Sequence, residues 1–406
     1  MRKNQQRFFA MTVELPPLPV DCSDFVALRR AGMPYVDKTA LVCELARHPW
    51  NFLLLRPRGF GKSLLVSTLE SLFRDGLEHF RGLAAEKLWT DKTCRVVRLD
   101  FAELSDFSDA EEFRARFEQR LADLCGEVGF RSPERFSLLG EFALWLDSQE
   151  SLSLVLIIDN YDAPLLRCLD RPDVFDGVRR VMSQFFAVLK SRGGGLRFLL
   201  LTGIFNFTHT RFFPSLNYLL DISYDSCYAH LTGFTDEELE ENFGPYLDRA
   251  TETRGITRGE LAAMLRAHCG GYSFDAVKDS PRVHCPRSVL QFLAQSDTTL
   301  QGTPFECGVP ASAYRDLESW FPSSPLDRDE TMLYPRLPLD APWEGEEAEG
   351  ISLLVRSGCL TIQSPAEGFV QLGFPNENAA AFTRKLLVEE AARRREDSGV
   401  PKSEGK

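Results

Sequence analysis

Up to residue 202, four apolar runs of strand length alternate with stretches whose apolar residues recur at helical spacing. The runs occupy residues 50–55, 95–101, 154–159 and 196–202. They are continuously apolar, which is typical of parallel strands covered on both faces by helices. The pattern therefore predicts an α/β domain with a doubly wound parallel sheet over residues 21–232, after an N-terminal tail of residues 1–20.

The pattern becomes helical after residue 232, with amphipathic stretches at 236–247, 258–268 and 286–293. We therefore expect a helical, lid-like domain over residues 233–321. Residues 322–350 are rich in proline and acidic side chains and predict a linker. A small C-terminal α/β segment is expected over 351–390, and the charged residues 391–406 predict a disordered tail.

A glycine-rich turn joins the first apolar run to the helix that follows it, as in the phosphate-binding loop (P-loop) of nucleoside triphosphatases. Glycine lets backbone N–H groups approach phosphate oxygens, and a helix N-terminus adds partial positive charge. Lys62 is expected to reach the β- and γ-phosphates, and Ser63 to bind Mg²⁺. The predicted nucleotide-binding residues are Arg58, Gly59, Phe60, Gly61, Lys62 and Ser63. Arg56 stands where the strict motif has glycine, so a glycine-rich turn before an ordinary helix is the alternative.

The third apolar run ends in Asp159, which is the position of a second Mg²⁺ ligand in a P-loop protein. A buried strand that merely ends in aspartate is the alternative interpretation. The next residue is Asn160, whose amide cannot take a proton from water at neutral pH, so binding is predicted more firmly than hydrolysis. Weak catalytic candidates are Asp162, which is also placed to cap a helix, and Thr202 at the end of the fourth run.

Composition narrows the range of partners. The 406 residues are 44% hydrophobic and 26% charged, with a net charge of −12, which disfavours broad nucleic-acid binding. No apolar run approaches the roughly 20 residues of a membrane helix, and the N-terminus lacks the apolar core of a secretory signal.

Ten cysteines without a CxxC pair predict reduced thiols and a cytoplasmic location. The adjacent pairs 268–269 and 284–285 (His-Cys) lack zinc-site spacing, so we expect no zinc.

Several ordered stretches resemble the bacterial AAA-ATPase-like family, a group of P-loop proteins often fused to a PD-(D/E)XK nuclease-like domain. The matching stretches are 35–39 (YVDKT), 54–63 (LLRPRGFGKS), 97–101 (VRLDF), 158–165 (IDNYDAPL), 202–204 (TGI), 216–217 (LN), 221–222 (DI), 233–239 (GFTDEEL), 271–274 (GYSF), 286–290 (PRSVL) and 372–377 (LGFPNE). The resemblance implies a P-loop NTPase fold that binds ATP and Mg²⁺, and it also implies that arginine is tolerated at position 56.

Three departures from the family pattern lie where a γ-phosphate would be handled. Asn160 replaces the glutamate of DEYD, Asn206 replaces a lysine, and His209 replaces a later lysine. They cast doubt on hydrolysis more than on binding, and whether ATP is hydrolysed stays open. The chain ends about 30 residues after Glu377, so we expect no nuclease domain. The alternatives to an ATP-binding module are a non-hydrolysing nucleotide-dependent switch and a protein-interaction module, whose protein partner the sequence does not identify.

Overall fold

A computed structural model describes residues 15–133, 135–207, 213–294, 332–335, 348–366 and 369–397. Five parallel strands form its main sheet, in the spatial order β2-β3-β4-β1-β5. Their bounds are β1 Asn51–Leu55, β2 Arg95–Asp100, β3 Leu154–Asp159, β4 Phe198–Gly203 and β5 Leu220–Asp221. The predicted α/β class and the doubly wound parallel sheet are confirmed. The two-residue β5 was not predicted, because its length leaves no detectable pattern in the sequence.

Helices cover both faces of the sheet. They are α1 Phe25–Arg30, α2 Thr39–Arg47, α3 Lys62–Asp75, α4 Ala85–Leu88, α5 Ala110–Glu127, α6 Leu138–Asp147, α7 Ala163–Arg167 and α8 Pro172–Arg192. On one face, α2 and α3 pack against alternate strand residues such as Phe52, Val155 and Leu200. On the other face, α5, α6 and α8 pack against the intervening residues, including Leu156 and Leu201. Burial on both faces explains why the strands are apolar throughout.

The region after the sheet is helical, as predicted, with α9 Asp236–Arg254, α10 Arg258–Cys269 and α11 Pro286–Ala294. Thr235 and Thr257 are the N-cap residues of α9 and α10, and each forms a capping box. The threonine hydroxyl accepts the backbone N–H of the glutamate three residues later, and the side chain of that glutamate accepts the backbone N–H of the threonine. The three helices enclose a core of their own that includes Leu239, Phe243 and Leu290. This core is separate from the two that cover the main sheet.

The C-terminal part combines α12 Ala348–Arg356 and α13 Glu377–Asp397 with a small antiparallel sheet of order β6-β8-β7. Its strands are β6 Met332–Pro335, β7 Thr361–Ala366 and β8 Phe369–Gly373. Strand β6 lies inside the predicted linker of residues 322–350, because pairing with the distant β8 stabilises an extended conformation that local composition does not predict.

Helix α13 extends to Asp397, so the predicted disordered tail of residues 391–406 is wrong over its first seven positions. Alanine, arginine and glutamate dominate this end of the helix, and all three have high helix propensity. Residues 398–406, like most of the predicted tail of residues 1–20, fall outside the described residues.

Candidate functional site

The turn between β1 and α3 has the backbone that a phosphate loop needs. Gly59 and Gly61 have φ of 84° and 83°, a region that other residues adopt at a cost. Gly61 is also the N-cap of α3, and no side chain of the described residues caps that end. The first N–H groups of α3 are therefore directed toward the turn without a side-chain acceptor, which favours an anion at this position.

A cavity of about 430 Å³ opens at this turn. The six predicted nucleotide-binding residues, 58–63, all line it, together with Asn160. Its wall also includes residues 19–23 and apolar side chains of two regions, among them Tyr35, Val36, Phe234, Phe243 and Leu290. Its volume lies within the range typical of small-molecule sites, and its wall joins a polar, glycine-rich end to an apolar one.

Lys62, the first residue of α3, lines the cavity but is 7% exposed. Its Nζ donates hydrogen bonds to the backbone carbonyls of Arg56 and Pro57, at 2.9 and 3.1 Å. Burial lowers the pKa of Lys62 to about 8, against the opposing charges of Asp159 and Asp162, which favour the protonated form. The ammonium is therefore held over the loop in an environment that a nearby anion would stabilise.

Arg56, the residue that departs from the strict motif, is buried and serves as a structural anchor. Its guanidinium donates to the carbonyls of Leu55, Ser223 and Tyr228 and to Thr232 Oγ1. It also lies over the ring of Phe274, with 4.1 Å between Cζ and the centroid. Burial lowers the pKa of Arg56 to about 10. The loop is thus fixed to the segment between β5 and α9 by a side chain that a glycine could not replace.

Two further loop residues bind the region around α11. Phe60 is 1% exposed, and its ring packs edge-on against Tyr272 and Phe274 at centroid distances of 4.8 and 5.0 Å. The carbonyl of Gly59 accepts the backbone N–H of Arg287 at 3.2 Å. The Phe60 side chain is buried in a hydrophobic cluster, so its backbone is the part that a phosphate would contact.

Polar side chains lie in a row at the carboxyl edge of the sheet. The Thr202 hydroxyl donates to Asp159 Oδ1. Asp159 is fully buried, and its Oδ2 has no hydrogen-bond partner among the described residues. The guanidinium of Arg98 is 4.0 Å from that oxygen, beyond hydrogen-bond distance, and donates to Glu70 instead. A buried carboxylate oxygen left without a donor is costly, and it fits a ligand of Mg²⁺ or of an Mg²⁺-bound water.

Asn160 follows Asp159 in a left-handed conformation, with φ of 51°, which asparagine tolerates better than most residues. Its Nδ2 donates to Asp100 Oδ1 at 3.0 Å. Burial, followed by the neighbouring charge of Asp159, raises the pKa of Asp100. Sequence analysis did not single out Asp100, although it is the next-to-last residue of the second apolar run and Asp159 is the last of the third.

Asp162 does not cap α7, contrary to our expectation. It occupies the N-cap position, but its Oδ2 accepts the backbone N–H groups of Ile204 and Phe205, both at 2.8 Å. Burial raises the pKa of Asp162, and the residue is 2% exposed. Its side chain therefore holds the chain that leaves β4, a contact between distant segments that local sequence does not reveal.

Asn206 and His284 do not line the cavity. Asn206 donates to Asp221 Oδ2 at 3.3 Å, and His209 is outside the described residues. His284 Nε2 lies 2.8 Å from Asp236 Oδ1. Over the described ranges, no three His, Cys, Asp or Glu side chains are grouped as a metal site needs. In those same ranges no helix is both long and apolar enough to span a bilayer.

Comparison with known proteins agrees with this geometry. The model of a family described as "Predicted AAA-ATPase" (AAA-ATPase-like) matches residues 19–213, which contain the glycine-rich loop and Asp159. Residues 19–213 are therefore similar to the AAA-ATPase-like family. The match spans the main sheet through β4 and the helices that cover it.

Two individual proteins are also similar to this chain. A protein described as uncharacterized, from the vnfD 5′ region of Azotobacter chroococcum mcd 1, is 31% identical over 259 residues, or 62% of this chain. The chain spans about half of that relative, 48% of its length. A Walker-type ATPase of Pyrococcus abyssi aligns over 91% of this chain and 99% of its own, with a TM-score of 0.40 and 13% identity. That score is too low to establish a shared fold for the whole chain.

The structure explains the arginine before Gly59 and the phenylalanine between Gly59 and Gly61. Arg56 and Phe60 anchor the loop to the region that follows the matched segment. The stretch 35–39 contributes a second link, since Lys38 forms a 2.5 Å ion pair with Glu238 of α9. Sequence analysis missed this pair because its partners are 200 residues apart.

Proposed function

We propose that the protein binds ATP with Mg²⁺ in the 430 Å³ cavity. One observation carries this proposal: residues 58–63 all line a single cavity at a helix N-terminus where two glycines have positive φ and which no described side chain caps. Backbone N–H groups of these residues would bind the phosphates. The Lys62 ammonium would exchange the carbonyls of Arg56 and Pro57 for β- and γ-phosphate oxygens.

Ser63 and Asp159 are the residues that would hold the metal. Ser63 lines the cavity, and the buried Oδ2 of Asp159 has no hydrogen-bond donor in the described parts of the chain. Thr202 would orient Asp159 by donating to its other oxygen. When bound, Mg²⁺ would neutralise charge on the β- and γ-phosphates.

The apolar end of the cavity would receive the base and ribose. Tyr35 and Val36 come from the segment before α2, whereas Phe234, Phe243 and Leu290 come from the helical region. A nucleotide that fills the cavity would therefore contact both regions at once. Burial of the base against these apolar walls would contribute favourable free energy of binding, while the polar loop would fix the orientation of the phosphates.

We propose weak hydrolysis at this site. Asn160, which lines the cavity, cannot act as a base at neutral pH. Asp162 is already engaged by two backbone N–H groups, and Thr202 is fully buried with its hydroxyl on Asp159. Neither of the two weak candidates is therefore available to activate water.

Isothermal titration of Mg-ATP into wild-type protein and Lys62→Ala tests the proposal. Removing the ammonium should weaken binding at least about tenfold, since a charge-assisted contact to phosphate contributes about 1.5–3 kcal/mol. Lys87→Ala, on the exposed surface of α4, is the matched control and should bind like wild type. Equal affinity of wild type and Lys62→Ala would refute a phosphate site at this loop.

A non-hydrolysing nucleotide-dependent switch is a second candidate, favoured by the cavity wall that the sheet domain and the helical region share. In a switch, ATP would hold the two regions together and turnover would not be needed. Hydrogen exchange of α9–α11 should then slow equally with Mg-ATP and with a non-hydrolysable analogue. Measurable turnover that reverses this protection would favour the ATPase instead.

A further inference from the structure

Asp100 and Asp159 lie side by side on the same face of the sheet. They end the neighbouring parallel strands β2 and β3, and the strand register pairs them directly. Directly paired residues of parallel strands point to the same face, with about 4.8 Å between the strands. Both carboxylates therefore project on the face that α3 covers, on the edge where the glycine-rich loop leaves β1.

Asn160 links Asp100 to the cavity. It lines the cavity, and its Nδ2 donates to Asp100 Oδ1 at 3.0 Å. The same Oδ1 accepts the backbone N–H of Ala102 at 2.9 Å. Two donors thus fix the carboxylate in one orientation. Its second oxygen, Oδ2, has no hydrogen bond from the described residues, and the side chain is only partly buried.

The other carboxylates described at this edge of the sheet are committed to different contacts. Asp162 Oδ2 accepts two backbone N–H groups, and Asp159 is the proposed metal ligand. Glu70 of α3 is paired with Arg98 and Arg74. Asp100 is therefore the carboxylate at this edge that combines a fixed position with an oxygen open to water.

We propose that Asp100 is the general base for ATP hydrolysis, with Asn160 as the residue that positions it. This inference rests on the proposed ATP site. A water molecule held between Asn160 and Asp100 attacks the γ-phosphorus, and its proton passes to Asp100 Oδ2. The bond between the γ-phosphorus and the β–γ bridging oxygen breaks, which gives ADP and inorganic phosphate. The carboxylic acid then returns its proton to solvent or to phosphate. The base of this chain is thus on β2, one strand away from the position that the family pattern gives to glutamate.

The test compares wild type, Asp100→Asn and the exposed control Asp123→Asn in single-turnover hydrolysis of radiolabelled Mg-ATP, with binding measured by calorimetry. Asparagine at position 100 can still accept from Ala102 N–H and Asn160 Nδ2, so a merely structural role predicts no loss. A general base predicts a fall in rate of about 100-fold or more, with a Kd within about threefold of wild type.

Asn160→Gly provides a second variant, because glycine accepts the φ of 51° at this position. Loss of the tether should lower the rate about tenfold while the protein still binds Mg-ATP. Asp100→Asn turnover within about threefold of wild type would overturn the inference. So would a wild-type protein that binds Mg-ATP without turnover above the enzyme-free background, and in that case ATP binding stands. Absence of Mg-ATP binding would refute the proposed function itself, and the inference with it.

Discussion

At the scale of single residues, burial governs the chemistry of the glycine-rich loop. Lys62 is almost fully buried, and its pKa is lower than that of an ordinary lysine because water no longer solvates its charge. Loop carbonyls and two aspartates partly compensate for this loss. A polyphosphate would supply the missing negative charge at short range. The protonation of Lys62 and nucleotide binding should therefore be coupled.

Affinity for Mg-ATP should fall as pH rises through the pKa of Lys62, which is about 8. Bound phosphates would return this pKa to its ordinary value or above, so binding above pH 8 requires uptake of a proton. We expect the Kd to rise about tenfold between pH 7 and pH 9. Calorimetry at several pH values measures this change, and a flat profile would contradict a role for the Lys62 charge.

Rising pH lowers the affinity for nucleotide, but it increases the contribution of Lys62 to the free energy of unfolding. Its pKa is lower in the folded protein than the ordinary value of 10.5, so between about pH 8 and 10.5 the unfolded chain binds more protons. The contribution of Lys62 to stability therefore increases with pH over this window, in the absence of nucleotide. Loss of affinity at pH 9 is thus separable from alkaline unfolding by urea denaturation at the same pH values.

Arg56→Gly restores the strict phosphate-loop motif, yet we expect it to destabilise the protein by about 2–4 kcal/mol. The substitution leaves the carbonyls of Ser223 and Tyr228 without their buried donor and removes the contact with Phe274. Urea denaturation measures the change. Arg58→Gly, at an exposed position of the same loop, is the control and should cost about 1 kcal/mol or less. An equal loss of stability in Arg56→Gly and Arg58→Gly would show that Arg56 is not an anchor.

These residues also show which parts of the site sequence can reveal. The spacing of Gly59, Gly61, Lys62 and Ser63 is local, and it predicted a turn at the start of a helix, which the structure has. The anchoring by Arg56, the backbone contacts of Asp162 and the Asn160–Asp100 hydrogen bond join residues that are 42–176 positions apart. A single sequence carries no pattern for such contacts, because they depend on the finished fold.

At the scale of elements, predictability follows length and periodicity. The predicted runs at 50–55 and 154–159 correspond to β1 and β3, and helices α9–α11 lie where helical spacing predicted them. Three elements are exceptions. Strands β5 and β6 are short, and the end of α13 continues a helix into a charged region. The first two depend on pairing with strands far away in the chain.

The contact between the turn after α10 and the segment before α13 is unusually close, and it gives a test at this scale. A Cβ on Gly271 would lie 1.9 Å from the carbonyl oxygen of Pro375, and the φ of Gly271 is +84°. We expect Gly271→Ala to lower the free energy of unfolding by about 2–4 kcal/mol, because backbone must shift in addition to the strain at positive φ.

Gly255→Ala is the matched control for this substitution. Gly255 has a φ of +66° at the end of α9, but a Cβ there would have no neighbour within 4 Å among the parts of the chain that the structure describes. It should therefore cost only about 1 kcal/mol, the strain of the backbone conformation. Urea denaturation that gave the same cost for both variants would contradict a tight contact between the C-terminal segment and the helical region.

At the scale of the whole molecule, three parts of the chain meet at the glycine-rich loop. The sheet domain supplies the loop, the helical region adds Phe243 and Leu290 to the cavity wall, and the C-terminal segment contacts Pro57. In that last contact, a Cβ on Gly358 would lie 3.0 Å from Pro57 Cβ. A ligand that reorganises the loop would therefore affect packing in all three parts, as expected for a nucleotide site that couples binding to conformation.

The most direct test of this account is a crystal structure of the protein grown with Mg²⁺ and a non-hydrolysable ATP analogue. We predict a triphosphate on the backbone N–H groups of residues 58–63, with Lys62 Nζ on the β- and γ-phosphates. We also predict a metal ion beside Ser63 whose ligand sphere includes Asp159, directly or through water. A nucleotide bound elsewhere, or a loop that keeps Lys62 on the carbonyls of Arg56 and Pro57 at saturating analogue, would contradict the account.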